Sequence, residues 1–137
     1  MKTFALLTSL AATALAQNVF VNLPEGPNIA AGSDVIVQVT RPNSLTGSRE
    51  IAVAIGIQPC YNGRCLPAES TLGTVLYNGP YTPQIHEWSG LPYENFTVTV
   101  PTDLAKGTAI VGVAHATLIG AANWAFLEVV NATATVV

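Results

Sequence analysis

One stretch of the sequence, residues 93–122, has the pattern of two consecutive β-strands and constrains the fold more than any other. From Phe96 to Val100 apolar residues alternate with threonines, which is the period of two expected for a half-buried strand. Pro101 cannot donate to a β-ladder and is predicted to end this strand, and Lys106-Gly107 is predicted to turn the chain back. The second half is almost wholly apolar and rich in glycine and alanine, which favours a central strand covered on both faces.

The rest of the chain contains further short runs with the same alternation, separated by segments rich in glycine, proline and asparagine. No run outside the first 16 residues shows the 3.6-residue apolar period of a helix. About seven short strands with turn signals between them are typical of an all-β fold, a single immunoglobulin-like antiparallel β-sandwich. The predicted strands are 19–23, 34–40, 50–58, 71–77, 93–100, 108–118 and 126–137. The predicted core residues are Val35, Val37, Val39, Val53, Ile55, Phe96, Val98 and Val100.

Residues 1–16 have the pattern of a secretory signal peptide. Lys2 precedes an apolar run from Phe4 to Leu15, and small residues surround the predicted cleavage point after Ala16. The run is too short for a membrane anchor, since spanning a bilayer takes about 20 apolar residues. Cleavage leaves residues 17–137 as one β-sandwich domain. The sequence therefore predicts a secreted, extracellular protein with no membrane partner.

The chain is poor in charge, with 9% charged residues and a formal net charge of −3. The basic residues that remain after loss of the leader are Arg41, Arg49, Arg64 and Lys106. Because these four are scattered, there is no basic patch to bind phosphates, and nucleic acid is excluded as a partner. We expect the mature chain to be a monomer.

Both cysteines, Cys60 and Cys65, flank an Asn62-Gly63 pair, which is a strong signal for a two-residue hairpin turn. In such a hairpin the cysteines face each other as a non-hydrogen-bonded pair, with Cα atoms about 4.5 Å apart, which a disulfide accepts. A metal site would need further ligands nearby, and a redox pair would need Cys-x-x-Cys spacing. The sequence therefore predicts a disulfide, which an oxidising compartment favours.

Two glycosylation sequons begin at Asn95 and Asn131, and both are predicted sites in a secreted chain. Asn95 falls on the polar face of its predicted strand. If Asn131 points outward, so do Leu127, Val129 and Val137, and that side of the sheet is then unusually apolar.

Candidates for catalysis or metal binding are few. His115 lies in the most apolar predicted strand and is interpreted as a core histidine hydrogen-bonded to a neighbour rather than a catalytic base. His86 and His115 have no third ligand at a characteristic spacing, so no metal site is predicted. The chain has no Gly-x-Ser-x-Gly elbow and no acidic pair at a telling spacing. Gln17 as the first mature residue argues against copper oxygenases that begin with histidine. We therefore expect no enzyme activity, no catalytic residue and no cofactor.

Residues 76–93 gather three tyrosines, one tryptophan, one histidine and three prolines into a turn-rich segment. Tyrosine and tryptophan are enriched in interfaces, and loops on a rigid sandwich often carry binding function. The segment is therefore a candidate partner-binding surface; alternatively, its rings fold back over a sheet edge. The candidate binding residues are Tyr77, Tyr81, His86, Trp88 and Tyr93.

Three segments, residues 72–81, 93–101 and 113–121, together with the leader and a β-sandwich of this length, resemble the fungal necrosis-inducing secreted protein family, called Nis1. The resemblance covers most of the mature chain and rests on strand-and-turn patterns. It implies an effector of plant-associated fungi that suppresses plant immune signalling by binding host proteins, the receptor-associated immune kinases. Delivery into host cells is left open.

A second hypothesis comes from the rings alone. An extracellular cell-wall or carbohydrate-binding module could present aromatic side chains to a sugar polymer. The rings that suggest it are Tyr77, Tyr81, Trp88, Tyr93 and Trp124.

Overall fold

The computed structural model describes residues 18–43 and 46–137, which form eight β-strands in two sheets. The strands are β1 (Phe20–Asn22), β2 (Asn28–Ile29), β3 (Asp34–Thr40), β4 (Ser48–Pro59), β5 (Thr74–Gly79), β6 (Tyr93–Thr99), β7 (Gly107–Ile119) and β8 (Trp124–Val136). One sheet has the order β1-β3-β6 and the other β2-β8-β7-β4-β5. The predicted signal peptide, residues 1–16, lies outside the described residues. Within them, no helix is long and apolar enough to cross a membrane.

The predicted all-β sandwich is confirmed, and its strand order is compatible with an immunoglobulin-like fold. One pairing departs from the antiparallel prediction, because the short strand β2 pairs in parallel with the end of β8, Asn28 opposite Thr135. The chain changes sheets between β1 and β2, where Pro24 and Pro27 interrupt the strand pattern. The carbonyl of Pro27 then accepts a hydrogen bond from the backbone N–H of Thr135 at 2.8 Å.

The two strands that dominate the sequence are present as β6 and β7, but they do not form a hairpin. β6 pairs with β3, from Asp34 opposite Thr99 to Thr40 opposite Tyr93, whereas β7 lies at the centre of the other sheet. The backbone N–H of Val100 donates to Ser33 at 2.8 Å, which extends the β3–β6 pairing to the end of β6. The connection after β6 therefore crosses from one sheet to the other.

The core lies between the two sheets and consists mainly of valine and isoleucine from β3, β4, β6 and β7. Seven of the eight predicted core residues are buried, and the eighth, Val35, is partly buried at the margin of the core. Tyr81, Val19 and Ile29 complete the core from loops and short strands.

The small residues of β7 and β4 are covered on the outer face of the five-stranded sheet, as the sequence predicted for β7. A Cβ atom on Gly112 would lie 2.8 Å from Leu72 Cδ2, and one on Gly56 would overlap the backbone of Leu72. The segment that contains Leu72 lies across this face of the sheet. The side-chain amide of Gln58 holds it there by donating hydrogen bonds to the carbonyls of Leu66 at 2.9 Å and Thr71 at 3.1 Å. Glycine is thus required where the backbones of two layers approach closely.

The predicted disulfide is present between Cys60 and Cys65, whose Cα atoms are 4.4 Å apart. Asn62 and Gly63 both have positive φ angles, 51° and 73°, as a type I′ turn requires. Because the closed loop is so short, the bond fixes this hairpin and constrains the rest of the chain little.

Candidate functional site

Three connections meet at one end of the sandwich, which we call the loop end: residues 41–43 with 46–47, residues 80–92 and residues 120–123. They follow β3, β5 and β7 respectively. The backbone N–H of Arg41 donates to Pro92 at 2.9 Å, and that of Gly120 donates to Gly47 at 3.2 Å. Backbone hydrogen bonds therefore link all three connections, and the disulfide hairpin lies at the opposite end of β4.

Within the 80–92 connection, the side chains of Tyr81, His86 and Glu87 are held by contacts inside the protein. The His86 ring stacks on Tyr93 with centroids 4.0 Å apart, and the Tyr93 hydroxyl donates to Glu87 Oε1 at 3.1 Å. Desolvation and the hydrogen bond to Glu87 raise the pKa of Tyr93. Glu94 Oε2 accepts from the backbone N–H of Thr82 at 2.7 Å. These contacts give the connection a defined shape.

The structure corrects the assignment of Tyr81 to a binding surface, since this side chain is 1% exposed. Its hydroxyl donates to the carbonyl of Val39 at 3.1 Å, and its ring meets that of His115 edge-on, with centroids 5.4 Å apart. After β5 the chain crosses from one sheet to the other, and the Tyr81 ring lies in the space between the two sheets. The alternative that rings fold back over the sheet is correct for Tyr81, and burial raises the pKa of its hydroxyl.

Replacing Tyr81 with phenylalanine should therefore affect stability rather than binding. The Tyr81→Phe variant loses the hydrogen bond to Val39 and leaves a buried carbonyl without that donor, so its free energy of unfolding should fall by about 1 kcal/mol. Urea unfolding followed by far-UV circular dichroism measures this change, since both tryptophans are already exposed in the folded protein. An unchanged unfolding midpoint would contradict the buried position.

The other candidate binding residues differ in exposure. Tyr77 is partly buried, with its ring 4.6 Å from that of Phe96 and its hydroxyl donating to Pro80. Trp88 is 98% exposed at the tip of the connection, and Ile85 beside it is 64% exposed. The apolar side chains, rather than the tyrosines, are therefore what this connection offers to a partner.

The sequon asparagines are both exposed, and their glycosylation remains a prediction. Asn95 Oδ1 accepts from Gln38 Nε2 at 3.1 Å on the outer face of the three-stranded sheet. Asn131 lies on the outer face of the five-stranded sheet, because the inward side chains of β8 are those of its even-numbered residues from Glu128 to Val136. The sequence predicts that an outward Asn131 shares its face with exposed apolar residues, and Leu127 is indeed 70% exposed on that face.

A buried ionic cluster lies beneath the loop end, where His115 on β7 sits between glutamates of the two neighbouring strands. His115 Nδ1 is 2.8 Å from Glu128 Oε1, and its Nε2 contacts Glu50 Oε2. Ser48 Oγ donates to Glu50 Oε1 at 2.6 Å, and the backbone N–H of Val19 donates to Glu128 Oε1 at 2.8 Å. The cluster thereby joins β4, β7 and β8 to the chain that enters β1.

His115 and Glu50 each favour the charged form of the other. Burial alone would lower the pKa of His115, but hydrogen bonds to Glu128 and Glu50, and their negative charges, raise it from 6.5 to about 9. Burial alone would raise the pKa of Glu50, but hydrogen bonds from His115 and Ser48 lower it below its usual value. The Arg41 guanidinium, 3.9 Å from Glu50 Oε1, adds to this effect. At neutral pH the histidine is therefore an imidazolium.

The cluster is closed to solvent, with the side chains of His115, Glu50 and Glu128 exposed by 1%, 6% and 7%. Glu128 Oε2 is buried and has no hydrogen-bond partner within the described part of the chain. No group of three or more side chains that could hold a metal ion is found among residues 18–43 and 46–137. The cluster therefore acts as a structural tie rather than an open pocket.

Sequence reasoning identified His115 as a hydrogen-bonded core histidine but missed both of its partners. Glu128 could have been found from the β7–β8 turn, because Gly120 and Asn123, both with positive φ, mark a tight reversal that sets Glu128 opposite His115. For Glu50 the sequence offers no comparable signal.

The chain has no match among curated proteins. The sequence profile of the Nis1 family matches residues 13–135, which is nearly the whole chain and all but the last residue of β8. The resemblance inferred from the three short segments is thereby confirmed: the chain belongs to the Nis1 family.

Proposed function

We propose that this protein is a secreted effector that binds receptor-associated immune kinases of a plant host and thereby suppresses immune signalling. Membership of the Nis1 family supports an effector-like role. The observation that carries the proposal is the side chain of Trp88, 98% exposed at the tip of a connection whose other rings are held by internal contacts. Tryptophan is among the residue types most enriched in interface hot spots.

A protein partner fits this connection better than a sugar polymer does. Carbohydrate recognition needs free polar side chains beside the stacking ring to bind the hydroxyl groups. Here the hydroxyls of Tyr77, Tyr81 and Tyr93 donate within the protein, and the carboxylates of Glu87 and Glu94 accept within it. The exposed apolar side chains of this connection include Trp88 and Ile85, and an apolar pocket on a protein surface is their natural complement.

The mode of action that we propose is binding without catalysis, by a monomer that needs no cofactor or metal. His115, the residue considered above as a catalytic base, is buried between two carboxylates and is not accessible to a substrate. The disulfide and the leader-like N-terminus support secretion of the mature protein, and its contact with cytoplasmic kinase domains further requires delivery into the host cell.

The experiment that tests this function measures binding of the mature protein to purified cytoplasmic domains of plant receptor-associated kinases. The Trp88→Ala variant should bind at least about 30-fold more weakly, which corresponds to the cost of about 2 kcal/mol for losing a hot spot. Its free energy of unfolding should change by less than about 0.5 kcal/mol, because the ring contacts no buried group.

The matched control is Tyr61→Ala, which removes a 68% exposed ring from the disulfide hairpin at the opposite end. This variant should bind and suppress immune signalling like the wild type. Failure of the wild type to bind any such kinase, together with retention on chitin, glucan or cellulose, would favour the carbohydrate-binding alternative.

A further inference from the structure

A shallow apolar depression lies on the outer face of the five-stranded sheet, near the loop end. It has a volume of about 280 Å³. Cross-strand pairs form its floor, with Ala116 opposite Leu127 and Leu118 opposite Ala125. The depression is open, since Leu127 is 70% exposed.

A β-bulge in β4 supplies the wall of this depression. Glu50 pairs with Thr117 and Ala52 pairs with Ala116, so Ile51 is the extra residue between them. The bulge turns Glu50 inward to His115 and leaves Ile51 47% exposed at the margin of the depression. The buried cluster and the apolar depression are therefore two consequences of the same backbone irregularity.

One cationic side chain lies on the same face. Arg49 is directly opposite Leu118 in the β4–β7 ladder, and residues directly opposite each other share a face of the sheet. Arg49 is exposed, and no ion pair of its guanidinium is found within the described ranges. An incoming surface can therefore reach both the apolar depression and an available cation.

The depression is continuous with the loop end. Ile119 and Trp124, which bound the β7–β8 turn, pair with each other, and Trp124 is 74% exposed. The backbone N–H of Gly120 in that turn donates a hydrogen bond to the carbonyl of Gly47, which precedes Arg49 and Ile51 in the chain. Asn131 lies four residues beyond Leu127 on the same face, about 13 Å further from the loop end.

We propose that the depression beside Arg49 is a second contact site for the protein partner, receiving an apolar side chain that lies next to a carboxylate. This inference rests on the proposed function and adds the chemistry of the partner, an apolar residue with an acidic neighbour. A second copy of this chain fits less well, because the residues that line its depression include no carboxylate to meet Arg49 of the first copy.

The test uses the same purified kinase cytoplasmic domains, with two variants and two matched controls. Arg49→Glu and Leu127→Asp should each weaken binding about tenfold, the first by repelling the carboxylate and the second by placing a charge in the apolar contact. Arg64→Glu reverses an exposed arginine at the opposite end, and Thr135→Asp adds a charge to the same strand and face without altering either sequon. Both controls should bind within about twofold of the wild type.

The outcomes separate the two proposals. If Trp88→Ala abolishes binding while Arg49→Glu and Leu127→Asp bind like the wild type, the second contact site is wrong and the proposed function stands. If the wild type does not bind these kinase domains, both proposals fail. A wild-type dimer in sedimentation that Leu127→Asp dissociates would assign the depression to a second copy instead.

Discussion

Replacing His115 with alanine is expected to lower the free energy of unfolding by about 3–5 kcal/mol, a large fraction of the stability of a domain of this size. The substitution removes the imidazolium that lies between Glu50 and Glu128 and leaves both carboxylates buried. Neither can be solvated without opening the end of the sandwich. The loss therefore exceeds that of the hydrogen bonds alone.

Urea unfolding at pH 6 measures this effect, and a second substitution identifies its cause. In the His115→Ala background, Glu50→Gln removes one of the two buried negative charges and should restore part of the lost stability. In the wild-type background the same change breaks the ion pair and should destabilise the protein. A cost of Glu50→Gln that is equal in both backgrounds would show that the two side chains are not coupled.

The partner that sequence reasoning could not find, Glu50, is placed by the bulge in β4. Val53, Ile55 and Ile57 face the core, so unbroken alternation would put Ile51 inside and Glu50 outside. The bulge reverses both positions. The bulge leaves no mark on the local pattern, because an outward Glu50 and an inward Ile51 are what a regular half-buried strand would show.

The strands could be predicted because alternation is local, whereas their pairing is not. The run from Phe96 to Val100 identifies β6, but the choice between β7 and β3 as its neighbour depends on contacts some 60 residues away in the chain. Seven residues connect Thr99 to Gly107, enough either to reverse within one sheet or to cross to the other. The central position of β7 was predictable because its small residues require cover on both faces.

For the 80–92 connection, composition identified the segment but not the orientation of its rings. Tyr81 and Trp88 are both large and aromatic, yet one is 1% and the other 98% exposed. The difference arises because Tyr81 lies where the chain crosses the gap between the sheets and can donate to Val39 there. The hydrogen bond between Tyr81 and Val39 depends on the tertiary structure and cannot be read from the local sequence.

The stability of the protein should also depend on pH in a manner fixed by the cluster. The pKa of His115 is raised from 6.5 to about 9 by its carboxylate partners, so its contribution is fully present below pH 6.5 and is lost as the pH rises through 9. The pKa of Glu50 is lowered from 4.5, so its contribution is present above pH 4.5 and is lost as the pH falls through the folded value. Together they give maximal stability between pH 4.5 and 6.5.

Between pH 6 and pH 9.5 the wild type should therefore lose about 3 kcal/mol of unfolding free energy, since each unit of pKa difference corresponds to about 1.4 kcal/mol. Urea unfolding across this range measures the loss, and His115→Leu is the reference, because it keeps every other titrating group. The difference between the two profiles isolates the imidazole and should fall steadily above pH 6.5. Parallel profiles from pH 6 to 9.5 would mean that His115 titrates alike in the folded and unfolded chain, which its contacts with Glu50 and Glu128 do not allow.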